Sequence, residues 1–335
     1  MSEQSSSDGG TVDPMQAGVD HIRLLTKVAR MYHERGLRQP EIAEQLHISQ
    51  PRVSRLLKKA VEIGIVRTTV VTPRGVYSRL EEAVEQRYGL REVVVADTGE
   101  LADGPGLLPA LGSAAAGYLE TTLTGGDRIG ISSWSSTLLA TVEAMHPRPG
   151  RVAETVAQVL GGVGLVTAQT HATRLTGRLA QLTGASASYL PAPGLVASAL
   201  TRDALVADPH IASALRATES LTLLLVGIGS LAPSPLLRES GNAISAQEEA
   251  ELLRLGAVGD VCLRYFDEAG APVAGALQDR VIGISAAALR AVQRRVAVAG
   301  GASKYVAVRA ALRGGWVNVL VTDHYVAQRL VAEPA

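Results

Sequence analysis

The sequence predicts two parts of different class: a small N-terminal helix-turn-helix head, winged at its end, and a larger α/β domain with a doubly wound, mainly parallel sheet. Three observations carry this. At 335 residues the chain is too long for one average domain and suits one small and one large. Up to about residue 63 the apolar residues recur with a helical period. From about residue 91 the texture changes to short, nearly continuous apolar runs edged by glycine and separated by helical stretches, as expected of strands covered on both faces.

Taken in order, residues 1–16 are polar and of low complexity and are expected to be a disordered tail. Residues 17–75 are assigned to the helix-turn-helix domain, 76–90 to a linker helix and 91–335 to the α/β domain. In the head, Ile22, Leu25, Val28 and Ala29 mark the buried stripe of a first helix, which Gly36 ends. The alternating run GIVRTTVV from Gly64 reads as a short strand or wing. Beyond it, strands are predicted over 92–97, 127–132, 155–162, 221–229, 261–266, 280–285, 295–301 and 317–323, and helices over 107–123, 168–182, 245–255 and 302–312. In a sheet of this kind ligands sit at the C-terminal strand ends, beside helix N-termini.

The sharpest local signal is QPEIAEQLHISQPRVSRLLK, residues 39–58. Two helices meeting at a tight turn need a small residue at their crossing, and Ala43 supplies it. Ile42, Leu46, Ile48, Val53 and Leu56 fall where those helices share a core with the first. Ser49 stands where it can cap the second helix, and Pro51 in its first turn lacks only an N–H that would be unpaired anyway. The turn position where glycine is usual is His47, a residue type that tolerates positive φ.

Formal net charge is zero, yet residues 21–59 hold nine Lys/Arg against three Glu. That basic head suits double-stranded DNA. Arg38, Gln39, Ser49, Gln50, Arg52, Ser54, Arg55 and Lys58 are the candidate contacts, with Gln50, Ser54 and Arg55 placed to reach base edges. Read blandly, the same residues are a solvated basic face. The coincidence of small residue, turn, cap and core spacing favours DNA.

Hydrophobic residues make up 47% of the chain and aromatics only 3%, so Leu, Val, Ala and Ile must fill the core. No run is long and uncharged enough for a membrane span, and MSEQSSSDGGTVD lacks a basic-then-apolar leader, so a cytoplasmic chain is expected. The single cysteine, Cys262, excludes an intrachain disulfide and a multi-cysteine metal site. The GIG at Gly227–Gly229 is not a GxGxxG, so no dinucleotide site, and no cofactor or metal, is expected.

In the larger domain, the junction after the 127–132 strand clusters the hydroxyls of Ser132, Ser133, Ser135, Ser136 and Thr137 around Trp134. Free N–H groups and the helix dipole at such a junction favour an anion. A serine-rich helix cap is the plainer reading. Trp134 suits either stacking on a sugar face or filling the domain interface. Asp260, entering an apolar strand, is a costly charge unless paired or hydrogen-bonded. It suits sugar hydroxyls or a partnership with Lys304, a cation at a helix start where only an anion makes it favourable. Gln169, Thr170 and His171, at another helix start, complete the candidates.

Together, the head and the motifs GDRIGISSWSSTL (126–138), VLGGVG (159–164), LVGIGS (225–230), GAVGDVCLRYFDEAG (256–270) and VAGGASKYVAVRAALRGGWVNVLVTD (298–323) resemble the SorC family of sugar-responsive transcriptional regulators, within the DeoR-like group. The resemblance implies a sugar-binding domain of the fold of phosphosugar isomerases, a homo-oligomer (dimer or tetramer), and a sugar phosphate or polyol effector that alters operator affinity. It places a ligand-binding lysine at Lys304. Some relatives hold a phosphate with an arginine before the GG pair; Leu160 stands here, which argues against a doubly phosphorylated effector. A phosphosugar isomerase or deaminase is the rival reading. The attached head favours a pocket that binds without turnover, and a purely architectural DNA binder has no use for so large an α/β domain.

Overall fold

The computed structural model describes residues 14–67, 75–98, 103–148, 150–163, 166–232, 237–238 and 244–333. The chain divides into two compact units, one up to Val71 and one from Thr72.

The first unit has three helices, α1 (Pro14–His33), α2 (Gln39–Gln45) and α3 (Gln50–Glu62). Leu25, Val28, Ala29 and Met31 of α1 share one core with Ile42, Val53, Leu56, Leu57 and Ala60. Ile22, expected in the buried stripe, is 54% exposed: the stripe begins one turn later. Of the run expected as a wing, residues 64–67 form turn and bend rather than strand, and the remainder lies outside the described residues.

The second unit opens with α4 (Ser78–Tyr88), whose Glu85 and Glu81 carboxylates accept the N–H groups of Val93 and Val95 in the first strand. A parallel seven-stranded sheet follows, made of β1 (Glu92–Ala96), β2 (Asp127–Ile131), β3 (Ala153–Gln158), β4 (Ser186–Ser188), β5 (Leu223–Val226), β9 (Arg294–Val298) and β10 (Val319–Asp323). Their spatial order is β1-β10-β9-β5-β2-β3-β4. Both faces are covered: Leu223 and Leu225 enter one buried cluster, Leu224 and Val226 the other. Burial on both faces is why the sequence shows an unbroken LLLV rather than alternation.

From β2 the chain builds outward through β3 to β4. It then returns to β5 at the centre and builds the other way through β9 to β10. The order thus reverses between β2 and β5, the switch point where open α/β sheets leave a crevice. Above that crevice lies a small antiparallel sheet of β6 (Gly229–Ser230), β7 (Ala257–Val261) and β8 (Arg264–Asp267).

Two predicted strands are corrected. Residues 261–266 are not one strand but the reversal of the β7–β8 hairpin, with Cys262 and Leu263 at φ 54° and 58°. The apolar turn mimics a buried strand because both its side chains are buried. Residues 280–285 form only isolated bridges, Leu195 with Val281 and Leu160 with Gly283. The Arg264 guanidinium, donating to the carbonyls of Gly283 and Ile284, supplies there what a neighbouring strand would. β4, the short polar edge strand SAS, carried no apolar signal.

Candidate functional site

The first unit presents α3 as its charged element. Gln50, Arg52, Ser54, Arg55, Lys58 and Lys59 are all exposed, while Val53, Leu56, Leu57 and Ala60 are buried on the opposite side. His47 takes φ +52°, so the turn between α2 and α3 uses a left-handed residue as its spacing implied. The Ile48 N–H reaches back to the Ala43 carbonyl at 3.0 Å, closing the end of α2. Arg38 precedes α2 and is exposed, its N–H donating to Glu41 Oε2 at 2.7 Å; Gln39 is half-buried. Ser49 occupies the N-cap position, but its side chain makes no capping bond; its carbonyl accepts from Arg52 and Val53. The Ser49 hydroxyl is therefore left exposed. Arg23, Lys27, Arg30 and Arg35 line a shallow concavity along α1. Residues 21–59 thus present their positive charge outward.

The second unit encloses a cavity of about 420 Å³ at the C-terminal ends of β2, β5 and β9. The turn after β2 leads into α6 (Ser136–Ala144), capped by Ser135 Oγ, which accepts from Leu138 N and lies 2.8 Å from Thr137 Oγ1. Thr137 Oγ1 donates to the Val298 carbonyl of β9, fixing this helix start to the neighbouring strand. Ser132, Trp134, Ser135, Ser136 and Thr137 all line the cavity. Ser133 does not: it is 1% exposed, donates to the Leu160 carbonyl and accepts from Gln158 Nε2. It supports the turn and offers nothing to a ligand. Trp134 Nε1 donates to the Gly161 carbonyl, which leaves its ring in the cavity wall.

Two glycines of the GIG let neighbouring side chains in. A Cβ at Gly227 would stand 2.6 Å from Ser135 Oγ, and one at Gly229 only 1.9 Å from Asp260 Oδ1. Asp260, paired across from Gly229, is 9% exposed, and its Oδ2 accepts the Leu263 N–H at 2.8 Å. Burial pushes its carboxyl up to about 6, against the opposing pull of that N–H and of Lys304. Lys304 stands directly before α12 (Tyr305–Arg313). Its Nζ donates to the Ile228 carbonyl at 2.6 Å rather than to Asp260. Burial holds the ammonium below its ordinary pKa, with Asp260 opposing. The buried acid Asp260 and two cations, Lys304 and the exposed Arg238, thus line a single space with two helix starts, with the exposed Asp103 also in the lining, an arrangement that suits an anion carrying hydroxyl groups.

Thr170 is exposed on α7 (Val166–Thr183) and does not line the cavity; Gln169 and His171 share that helix, their side chains outside the described ones. Sequence reasoning missed Ser303, the apolar walls from Leu107, Leu108 and Leu111, and the contribution of Cys262 and Leu263. Ser303 was legible beside Lys304. The hairpin turn was not, since neither residue is a turn former.

The fold and the site define a class: a helix-turn-helix protein with an α/β ligand-binding domain. A family model described as "Putative sugar-binding domain" matches residues 75–332, and one for a helix-turn-helix domain matches 12–65. The chain is 33% identical to the deoxyribonucleoside regulator of Bacillus subtilis (strain 168), over 92% of this chain and 97% of that one. It is 31% identical to the sorbitol operon regulator of Klebsiella pneumoniae, over 93% and 98%. The crystal structure of full-length sorbitol operon regulator SorC from Klebsiella pneumoniae superposes with a TM-score of 0.70 at 29% identity, covering 93% of this chain and 99% of that one. The chain belongs to the SorC family of sugar-binding transcriptional regulators.

Proposed function

We propose that this chain is a cytoplasmic regulator of a carbohydrate-use operon, and that a small sugar phosphate or polyol in the second unit's cavity sets its affinity for operator DNA. The observation that carries the reading is the meeting of Ser135, Ser136, Thr137, Asp260 and Lys304 in one cavity at the switch point of the sheet. On this reading Arg38, Gln39, Ser49, Arg52 and Lys58 hold the DNA backbone, while Gln50, Ser54 and Arg55 read base edges. The chain acts as a homo-oligomer, dimer or tetramer, because paired heads on spaced half-sites let a change in subunit contacts alter fit. A hundredfold change in operator affinity requires about 2.7 kcal/mol of coupling. The attached head supports binding without turnover. Product formation from pentose or hexose phosphates, lost in Lys304→Ala, would overturn that part.

Two variants test the reading. Arg55→Ala should weaken operator binding by about ten- to a hundredfold and leave effector-induced thermal stabilisation intact. Lys304→Ala should keep operator affinity and blunt the effector response. Loss of both properties in either variant, seen by gel shift and thermal melts, would refute the separation of roles.

A further inference from the structure

We propose that the effector is two-ended: a phosphate or polyhydroxyl end lies at the α6 and α12 starts, and the other end is carbon without a hydroxyl, a deoxy or methyl terminus against Trp134, Leu160, Cys262 and Leu263. This deepens the effector reading of the same cavity and rests on it.

The cavity lining includes a buried apolar patch. Ser135, Ser136, Thr137, Ser303 and Lys304 supply polar lining at the two helix starts, and Ser132, Ser230, Arg238, Asp103 and the Asp260 carboxyl beside Leu263 add to it. Trp134, Leu160 and Leu263, all in the cavity lining, belong to one buried apolar cluster, and Cys262, also in the lining, belongs to a second. The polar atoms behind this wall are turned away from the ligand. Trp134 Nε1 is spent on the Gly161 carbonyl, the Leu160 carbonyl on Ser133 Oγ, and the Leu263 N–H on Asp260. A ligand hydroxyl pressed here loses water and finds no partner among these groups.

The backbone makes the same point independently. Cys262 and Leu263 both sit in the left-handed region, at φ 54° and 58°, which glycine or asparagine occupies with little penalty. A strained turn built from two buried apolar residues is explained if their side chains are what the turn must present, and both line the cavity. An apolar wall discriminates against an added hydroxyl by about ten- to a hundredfold.

The test is calorimetric titration of the full-length chain with matched pairs that differ by one terminal hydroxyl. Suitable pairs are 1-deoxy-D-xylulose 5-phosphate against D-xylulose 5-phosphate, L-fucose 1-phosphate against L-galactose 1-phosphate, and L-rhamnitol against L-mannitol. In every pair that binds, the deoxy member should be tighter by about ten- to a hundredfold. Leu263→Asn keeps a residue that accepts positive φ and places an amide in the wall; it should reduce the preference to within about threefold, measured well below a melting temperature that the loss of a buried leucine lowers. Leu160→Ser should act in the same direction. Equal or tighter binding of the hydroxylated members, or an undiminished preference in both variants, overturns the proposal while leaving the effector reading in place. Absence of binding by all three pairs at millimolar concentration counts against the effector reading itself, and the proposal falls with it.

Discussion

Asp260 is the residue whose placement has the most immediate energetic consequence. Its folded pKa, about 6, lies above the ordinary 3.8, so the folded chain holds this proton where the unfolded chain has lost it. Its contribution to stability is full below about pH 4, falls as pH rises through 6, and is flat beyond. Over that window it amounts to on the order of 2–3 kcal/mol. Unliganded Asp260→Asn should lack this decline, so the difference in urea unfolding free energy between variant and parent should grow between pH 4 and pH 8. A constant difference would place the carboxyl in a wetter setting than the geometry shows. At this scale much of the site was legible. A charge on an apolar run, a lysine at a helix start and hydroxyls at a strand end each break a local rule, and a broken rule is visible in sequence. Ser133 was misjudged because five hydroxyls in a row look alike until the turn chooses which face outward.

Among the elements, the helix-turn-helix was the most readable because its constraints are local: a small residue, a turn, a cap position and a core spacing within about twenty residues. Even the departure at the turn held, with His47 at φ +52°. His47→Gly removes the Cβ penalty of that conformation and should stabilise the head by about 0.5–1 kcal/mol, with operator affinity changed less than twofold. Thermal melts and gel shifts of the full chain would check both. The sheet was legible strand by strand wherever burial on both faces leaves an unbroken apolar run, as at β5 and β10. It failed at 261–266 and 280–285, where apolar residues are buried for reasons other than pairing. A turn of cysteine and leucine contains no glycine, proline or asparagine to announce it, and a loop satisfied by Arg264 reads locally as a strand.

On the scale of the whole chain, sequence alone does not say how a cavity communicates with anything else, because the contacts involved are distant in sequence. The structure shows one continuous set. Gly301, between the cavity residues Gly300 and Ser303, donates its N–H to Asp323 Oδ2 at 2.7 Å, while Asp323 Oδ1 caps the final helix, α13 (His324–Ala332). The next residue, His324, packs its ring 4.6 Å from Tyr77, two residues beyond the 68–74 segment's neighbour Gly75 and just before α4. Tyr77 in turn donates to Asp97 at the end of β1. A ligand that shifted the Gly300–Lys304 loop would have this set of contacts to reach the point where the chain enters the second unit. His324→Ala should leave effector affinity and effector-free operator affinity near those of the parent, and reduce the effector-dependent change in operator affinity at least fivefold. A parent-like change would show that coupling runs elsewhere.

The two tryptophans occupy opposite situations. Trp134 forms part of the cavity wall, whereas Trp316 is fully buried, its Nε1 held by the Gly270 carbonyl and its ring covered by the Arg290 guanidinium. The molecule thus carries one indole in the cavity wall and one enclosed by protein. Replacing Trp316 by phenylalanine leaves the indole of the cavity wall as the one tryptophan, whose emission should change when the cavity is filled, without label or DNA, at the speed of the binding event.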